Sequence, residues 1–255
     1  MSGNPHRQDG CRLRFEWGLS GAHEIAERSW VIAVVDVLSF TTTLTVAMDC
    51  GVEVFPHRWR DESAARFAAQ HGAVLAVGRS QARPGEVSLS PATVREASGV
   101  RRLVLPSPNG STIAQSMANL DGTVIGVSLR NSIAAAKWTA ARLAGDDACG
   151  VAVVAAGEQW PQGGLRRAVE DLWGAGAYLA ALRDHGFGSI SPEAQAAIAS
   201  FEHVSGDLPR QLRASTSGRE LAAADYGHDV DVAAELNRSD AVPALSGRSF
   251  RPAPP

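Results

Sequence analysis

The 255-residue chain has few of the features that mark specialised protein classes. Its three cysteines are widely spaced and form no CxxC pair, which indicates neither a disulfide framework nor a zinc knuckle. The formal net charge is −3 and there is no block of lysine or arginine, so we expect neither nucleic acid nor an anionic membrane as partner. A small molecule is the better expectation.

Long apolar runs are also missing. The most apolar run, residues 31–38, is interrupted by Asp36 and is far too short to span a bilayer. Residues 1–30 mix charged and polar side chains and lack the apolar stretch of a signal peptide. We therefore predict a cytoplasmic protein that does not enter membranes.

The residues that are present favour an α/β fold. Hydrophobic residues make up 45% of the chain, enough for a sizeable core, and from about residue 31 short β-branched runs alternate with alanine-rich amphipathic stretches. This alternation predicts three α/β/α layers around a largely parallel sheet, followed by a helical C-terminal part. The strand candidates are residues 31–37, 52–55, 73–77, 102–105, 123–127 and 151–155.

The helix candidates follow the strands. They are residues 41–49, 61–71, 111–119, 131–144, 165–183 and 192–203, and a region 207–236 broken at Gly218 and Gly227. Asp61, Ser111 and Asn131 stand where N-caps are expected.

The chain divides into three parts. These are an N-terminal segment 1–29, an α/β region 30–245 forming one domain or two subdomains, and a tail 246–255. The tail is rich in proline, arginine and serine, so we predict that it is disordered.

Polar groups just after the strands are the first candidates for a site, because ligands of open α/β sheets bind beyond the carboxyl ends of strands. Asp36 suits a hard metal ion, and Thr41, Thr42 and Thr43 at a helix start suit phosphate. The alternative is that Asp36 caps this helix and the threonines bond to the preceding turn.

Two further loops have the same character. Asn109, Gly110 and Ser111 form a tight turn into a helix, which predicts a second anion site, although an ordinary loop remains open. Arg130 and Asn131 follow the next strand, where Arg130 supplies either a charge for an anionic substrate or a solvated side chain.

A pair of acids on the long helix completes the set. Glu170 and Asp171 precede three small residues, 174–176, which indicate close packing of this helix against a neighbour. We therefore expect at least one of the acids to point inward.

Taken in order, these segments resemble the 2-phosphosulfolactate phosphatase family from about residue 30 to residue 245. The segments that carry the resemblance are VVDVLSFTTT (34–43), PNGST (108–112), GVSLRNS (126–132), AAG (155–157), EDLWGAG (170–176) and GHDVDVAAELNRSDAVPAL (227–245). The resemblance implies a magnesium-dependent phosphatase that hydrolyses 2-phosphosulfolactate to sulfolactate on the route to coenzyme M.

The resemblance also implies roles for residues. Asp36 and Glu170 become metal ligands, and Asp36, Glu170 and Asp171 become the catalytic acids. The substrate-binding residues become Thr41, Thr42, Thr43, Asn109, Gly110, Ser111, Arg130 and Asn131. The cofactor is then Mg²⁺, and the partner is a small phosphorylated metabolite. Separately from the resemblance, the apolar helices after Leu165 could pair subunits of a homo-oligomer, and the sequence leaves the oligomeric state open.

Two positions depart from the family pattern. Ser39 stands where the family has an arginine, and Arg79 stands where it has a glutamate. Arg79, Arg83 or Arg130 could replace the lost positive charge. The open alternative is a member that binds a phosphorylated or sulfonated metabolite without turning it over.

Overall fold

The computed structural model describes residues 4–27, 29–146 and 150–254 of the chain. Its strands are β1 (Leu13–Trp17), β2 (Ser29–Val35), β3 (Glu53–His57), β4 (Val74–Leu75), β5 (Arg102–Pro106), β6 (Thr123–Val127), β7 (Gly150–Ala155), β8 (Glu158–Gln159), β9 (Leu165–Arg166), β10 (Pro243–Ser246) and β11 (Ser249–Pro252).

The α-helices lie mostly between the strands and in the C-terminal third. They are α1 (Gly18–Ala26), α2 (Phe40–Asp49), α3 (Glu62–His71), α4 (Pro91–Glu96), α5 (Gly110–Met117), α6 (Ser132–Arg142), α7 (Val169–Asp184), α8 (Pro192–Val204), α9 (Leu208–Ala214), α10 (Thr216–Ala223) and α11 (Gly227–Ala233). Among the described residues, no helix combines the length and apolarity needed to cross a bilayer.

Within the described ranges, nine strands form one sheet in the order β1-β7-β2-β6-β10-β11-β3-β5-β4. Strands β1, β7, β2 and β6 pair in parallel, and so do β3, β5 and β4. The antiparallel hairpin β10–β11 joins the two parallel blocks. The sheet is therefore largely parallel, as predicted.

Helices cover both faces of the sheet, because successive side chains of a strand point to opposite faces. Val31, Ala33 and Val35 of β2 pack in a core that includes α6, α7 and α8. Ile32 and Val34 of the same strand pack in a second core that includes α1, α2 and α5. The three-layer α/β/α prediction is confirmed.

The predicted strands and the first four predicted helices are all present, with their ends displaced by no more than two residues. Their near-continuous apolar runs explain this agreement, since strands buried on both faces need such runs. The sequence patterns missed β1 and α1 in the N-terminal segment 1–29. Strand β1 lies at the sheet edge beside β7, and a mixed pattern is typical of such a position.

Two predicted helix limits were wrong. The helix expected from residue 165 begins at Val169, because Leu165 and Arg166 form β9 and pair with β8. The break expected at Gly218 lies instead at Ser215, whose side chain caps α10 by accepting a 3.0 Å hydrogen bond from the Gly218 N–H. Gly218 serves close packing, since a Cβ there would lie 2.0 Å from the Leu212 carbonyl oxygen.

The predicted disorder of residues 246–255 was also wrong, since β11 and its turn occupy much of this segment. Phe250 is fully buried, and its ring lies 6.1 Å from that of Phe40. Ser249 and Arg251 both donate hydrogen bonds to Glu53. One buried aromatic ring and one ion pair therefore hold a segment whose composition suggests disorder.

Of the three predicted N-caps, the one at Asp61 is confirmed, and the other two lack the expected side-chain hydrogen bond to the helix. Asp61 caps α3 by accepting hydrogen bonds from the N–H groups of Ser63 and Ala64. Ser111 lies inside α5, and its hydroxyl donates to the Leu105 carbonyl. Asn131 precedes α6 without a side-chain bond to it, because its side-chain oxygen accepts from the Ser128 N–H instead.

Candidate active site

Asp36 follows β2 directly, and backbone N–H groups bind both of its carboxylate oxygens. Phe40 donates to Oδ1 at 3.1 Å, and Gly110 donates to Oδ2 at 2.9 Å. A Cβ at Gly110 would lie 2.7 Å from Oδ2, so only glycine permits this approach. The loops after β2 and β5 therefore meet at one buried carboxylate.

Asp171, in the first turn of α7, connects the loop that follows β7 to the loop that contains Asp36. Its Oδ1 accepts a 2.7 Å hydrogen bond from the Val37 N–H, and its Oδ2 accepts a 2.8 Å bond from the Gly157 N–H. The carboxylate thus holds together the segments that follow β2 and β7. Both of its oxygens are engaged by the backbone, which suits a residue that positions the loops.

Glu170 is buried as well, with 1% of its surface exposed. Within the part of the chain that the structure describes, its Oε2 has no hydrogen-bond partner. One turn later, a Cβ at Gly174 would lie 2.7 Å from Val37, so α7 packs closely against the segment that follows β2. The expectation that at least one acid of the pair points inward is confirmed for both.

Glu158, on β8, is a fourth acid that the sequence reasoning did not select. The Asn109 amide donates a 2.8 Å hydrogen bond to its Oε2. Both residues line a cavity of about 320 Å³, which we call the entrance pocket and which also contains Arg58, Trp17 and Pro108. Glu158 is therefore the acid with direct access to a bound small molecule.

Together Asp36, Glu158, Glu170 and Asp171 form what we call the acidic cluster. Burial raises the pKa of Asp36, Glu170 and Asp171, and the charge of Glu170 raises the pKa of Asp36 and Asp171 further. Burial and then the charges of Asp36 and Glu170 raise the pKa of Glu158 to about 8. Mutual repulsion of this kind is relieved by a bound cation.

The hydroxyl groups predicted to bind phosphate are buried and bonded to the main chain. Thr41 donates to the Asp36 carbonyl at 2.8 Å, Thr42 to the Val37 carbonyl at 2.7 Å and Thr43 to the Leu89 carbonyl at 2.6 Å. Thr41 and Thr42 thus bond to the preceding turn, as in the alternative that the sequence leaves open, whereas Thr43 ties α2 to the segment before α4. Phosphate binding by these residues stays a prediction. The loop segment of Asn109 and Gly110 does reach the acidic cluster.

Arg130 and Asn131 are engaged in other contacts. Arg130 is 3% exposed and forms ion pairs with Asp49 and Glu235, at 3.1 Å each. The Asn131 amide donates to the carbonyls of Gly126 and Ala241. Substrate-binding roles for these two residues stay predictions, and their contacts support the fold.

Arg79, one of the three arginines that could replace the lost positive charge, lies close to the acidic cluster. Its Nε lies 3.0 Å from Oδ2 of Asp229, and another nitrogen of its guanidinium donates to the Ser39 hydroxyl. Its charge lowers the pKa of Asp36, opposing the effect of burial. The sequence holds a signal for each of these two residues: Glu158 stands three positions after the end of β7, and Arg79 follows Gly78 in a loop.

The fold and the acidic cluster define an α/β enzyme whose site is built from carboxyl groups where strands end. A family model described as 2-phosphosulpholactate phosphatase matches residues 20–248, and the chain belongs to this family of phosphoric monoester hydrolases. It is 33% identical over 225 residues to a probable 2-phosphosulfolactate phosphatase of Thermus thermophilus, covering 86% of this chain and 89% of that protein. A protein of the same description from Deinococcus radiodurans is 29% identical over 222 residues, covering 84% and 87%.

Proposed function

We propose that this protein hydrolyses the phosphate monoester of a small acid, with 2-phosphosulfolactate as its substrate. Water attacks the phosphorus atom, the bond from phosphorus to the ester oxygen breaks, and sulfolactate and phosphate leave. The supporting observation is the acidic cluster beside the entrance pocket, in a chain that matches a phosphatase family over most of its length.

We also propose that Mg²⁺ binds at Asp36 and Glu170. Carboxylate oxygens are the ligands that Mg²⁺ prefers, and the buried Oε2 of Glu170 has no partner among the described residues. In the described ranges, no three His, Cys, Asp or Glu side chains are grouped to hold a metal alone. A Mg²⁺ ion at these two carboxylates would therefore need substrate phosphate and water as its other ligands. When bound, the ion neutralises phosphoryl charge.

The residues around the ion have separate tasks. The N–H groups of Phe40 and Gly110 fix the orientation of the Asp36 carboxylate. Asp171 holds the loops after β2 and β7 next to each other. Glu158 lines the entrance pocket, and the Asn109 amide holds its carboxyl group in place. Its pKa of about 8 keeps it protonated near neutral pH in the metal-free protein, and a cation bound nearby would lower this pKa. The ionised carboxylate would then accept the proton of the attacking water and return it to the sulfolactate oxygen that leaves.

Inorganic phosphate release from 2-phosphosulfolactate and a panel of phosphate monoesters tests the proposal, with Mg²⁺ and with chelator. We expect chelator-sensitive turnover that Asp36→Asn lowers by roughly a thousandfold or more. Asp61→Asn is the matched control, because it makes the same chemical change at the exposed cap of α3 and should leave turnover unchanged. Absence of turnover from folded wild-type protein would support binding without catalysis.

A further inference from the structure

A second cavity, of about 450 Å³, shares Arg58 and Pro108 with the lining of the entrance pocket. Arg58, Arg60 and Arg79 line it, and within the described residues no acidic side chain does. We call it the arginine cleft. The neighbouring cavity around Arg83 differs in this respect, since Glu86 and Glu96 line it as well.

Arg79 is held in a fixed orientation in this cleft. Its side chain is 18% exposed, and its ion-pair partner Asp229 is fully buried. Asp229 is held in turn by the Ser90 hydroxyl, and Ser39 accepts a hydrogen bond from the other side of the guanidinium. An arginine fixed in this way loses little conformational freedom when it binds an anion.

Arg58 and Arg60 carry charges that no acidic side chain of the described residues pairs with. In the described part of the chain, neither forms an ion pair or a side-chain hydrogen bond. The Arg58 guanidinium lies 4.9 Å from the centre of the Trp59 ring. Arg60 packs against the backbone of Gly78, where a Cβ would lie 2.1 Å from its Nη1. Both arginines thus pack against neighbouring residues, and their charges are available to an anion bound in the cleft.

The arginine cleft adjoins the candidate active site. Arg58 and Pro108 line both the cleft and the entrance pocket that contains Glu158. Arg79 contacts Ser39, the residue before Phe40, whose N–H binds the Asp36 carboxylate. The cleft and the candidate active site are therefore neighbours that share two lining residues.

We infer that the arginine cleft binds the acid groups of the substrate that are not transferred, a carboxylate or a sulfonate, while the phosphate lies at the acidic cluster. The inference rests on the proposed function, and it assigns specificity for phosphorylated acids to Arg58, Arg60 and Arg79. Planar guanidinium groups match the oxygen pairs of carboxylates and sulfonates, and a site without acids does not repel them.

Kinetics with two substrates test this assignment. Arg60→Gln should raise the KM for 2-phosphosulfolactate by about tenfold or more, because a charge contact in the bound state is lost. It should change kcat/KM for phenyl phosphate, which has no second acid group, by less than about twofold. Arg66→Gln is the control, since this exposed arginine on α3 carries the same charge outside the cleft. Equal losses on both substrates, or an equal loss in the control, would overturn the inference.

Calorimetry with sulfolactate separates this inference from the proposed function, because sulfolactate has both acid groups and no phosphate to release. Binding to the wild type that weakens about tenfold in Arg60→Gln and in Arg58→Gln supports the cleft even if no ester is hydrolysed. Unchanged binding in both variants overturns the cleft even if the protein is a phosphatase. Folding of each variant is checked by its thermal unfolding midpoint.

Discussion

The backbone N–H of Gly110 donates a 2.9 Å hydrogen bond to Oδ2 of Asp36, across 74 positions of sequence. This contact brings a loop that follows β5 to a carboxylate that follows β2. It depends on the missing side chain at position 110, since a Cβ would also lie 2.5 Å from the Phe40 ring. The orientation of the central acid is therefore set by a glycine from another part of the chain.

Gly110→Ala should inactivate the protein while leaving it folded. The added methyl group must displace Asp36 or Phe40, which we expect to cost about 1–3 kcal/mol of unfolding free energy. The misplaced carboxylate should lower phosphate release by about a hundredfold. Gly188→Ala is the control, because no atom lies within 4 Å of a Cβ there. Similar activities for the two variants would contradict this role of Gly110.

Glu170→Gln and Asp171→Asn should have different effects, because Glu170 is proposed to bind Mg²⁺ and Asp171 to hold the loops together. One buried oxygen of Glu170 has no hydrogen-bond partner among the described residues, so removal of its charge should leave the thermal midpoint in chelator unchanged or higher. The same variant should lose the rise in midpoint that Mg²⁺ gives the wild type.

Asp171→Asn should instead destabilise the protein by about 2–4 kcal/mol, because an amide NH₂ would face the N–H of Val37 or Gly157. Thermal melts of both variants, with Mg²⁺ and with chelator, measure the difference. Destabilisation by Glu170→Gln in chelator would show that the Glu170 charge stabilises the fold.

The stability of the metal-free protein should fall as pH rises from about 5 to above 8. Glu158 has a pKa of about 8 in the folded state, against a usual value near 4.3 when unfolded. Between these values the folded state holds a proton that the unfolded state has lost, so each rise in pH favours unfolding. Glu158→Gln should flatten this slope in chelator, as measured by denaturant unfolding at several pH values. An unchanged slope would contradict the raised pKa.

Arg130→Gln should lower stability without raising KM. Its buried guanidinium joins Asp49 and Glu235, and loss of both ion pairs should cost about 1–3 kcal/mol. Arg95→Gln is the matched control, because Arg95 contacts the same Glu235 from an exposed position and should cost less than about 1 kcal/mol. A selective rise in KM for Arg130→Gln would restore the substrate-binding role that the sequence suggested.

The site was predictable in part. The strand-end rule predicts Asp36, Asn109 and Gly110, and the small residues after Glu170 predict that an acid of α7 points inward. The structure brings these residues together. The threonines after Asp36 follow the same rule, but it gives the position of a residue and not the partner of its hydroxyl, and all three hydroxyls donate to main-chain carbonyls. Their role in phosphate binding stays a prediction. Glu158 was not predicted as a site residue, because its access to a pocket depends on the hairpin of β8 and β9.

The sequence by itself determined the layers and the strands of the core, because apolar periodicity is local and is fixed by which faces must leave water. It also determined the family, through ordered motifs along the chain. Only the tertiary structure decided that the C-terminal hairpin joins the two halves of the sheet. The tertiary structure also decided that Arg79 donates hydrogen bonds to Ser39 and Asp229, and that Arg130 donates one to Asp49. These choices depend on charges and hydrogen-bond partners distant in sequence, which meet only when the sheet has formed.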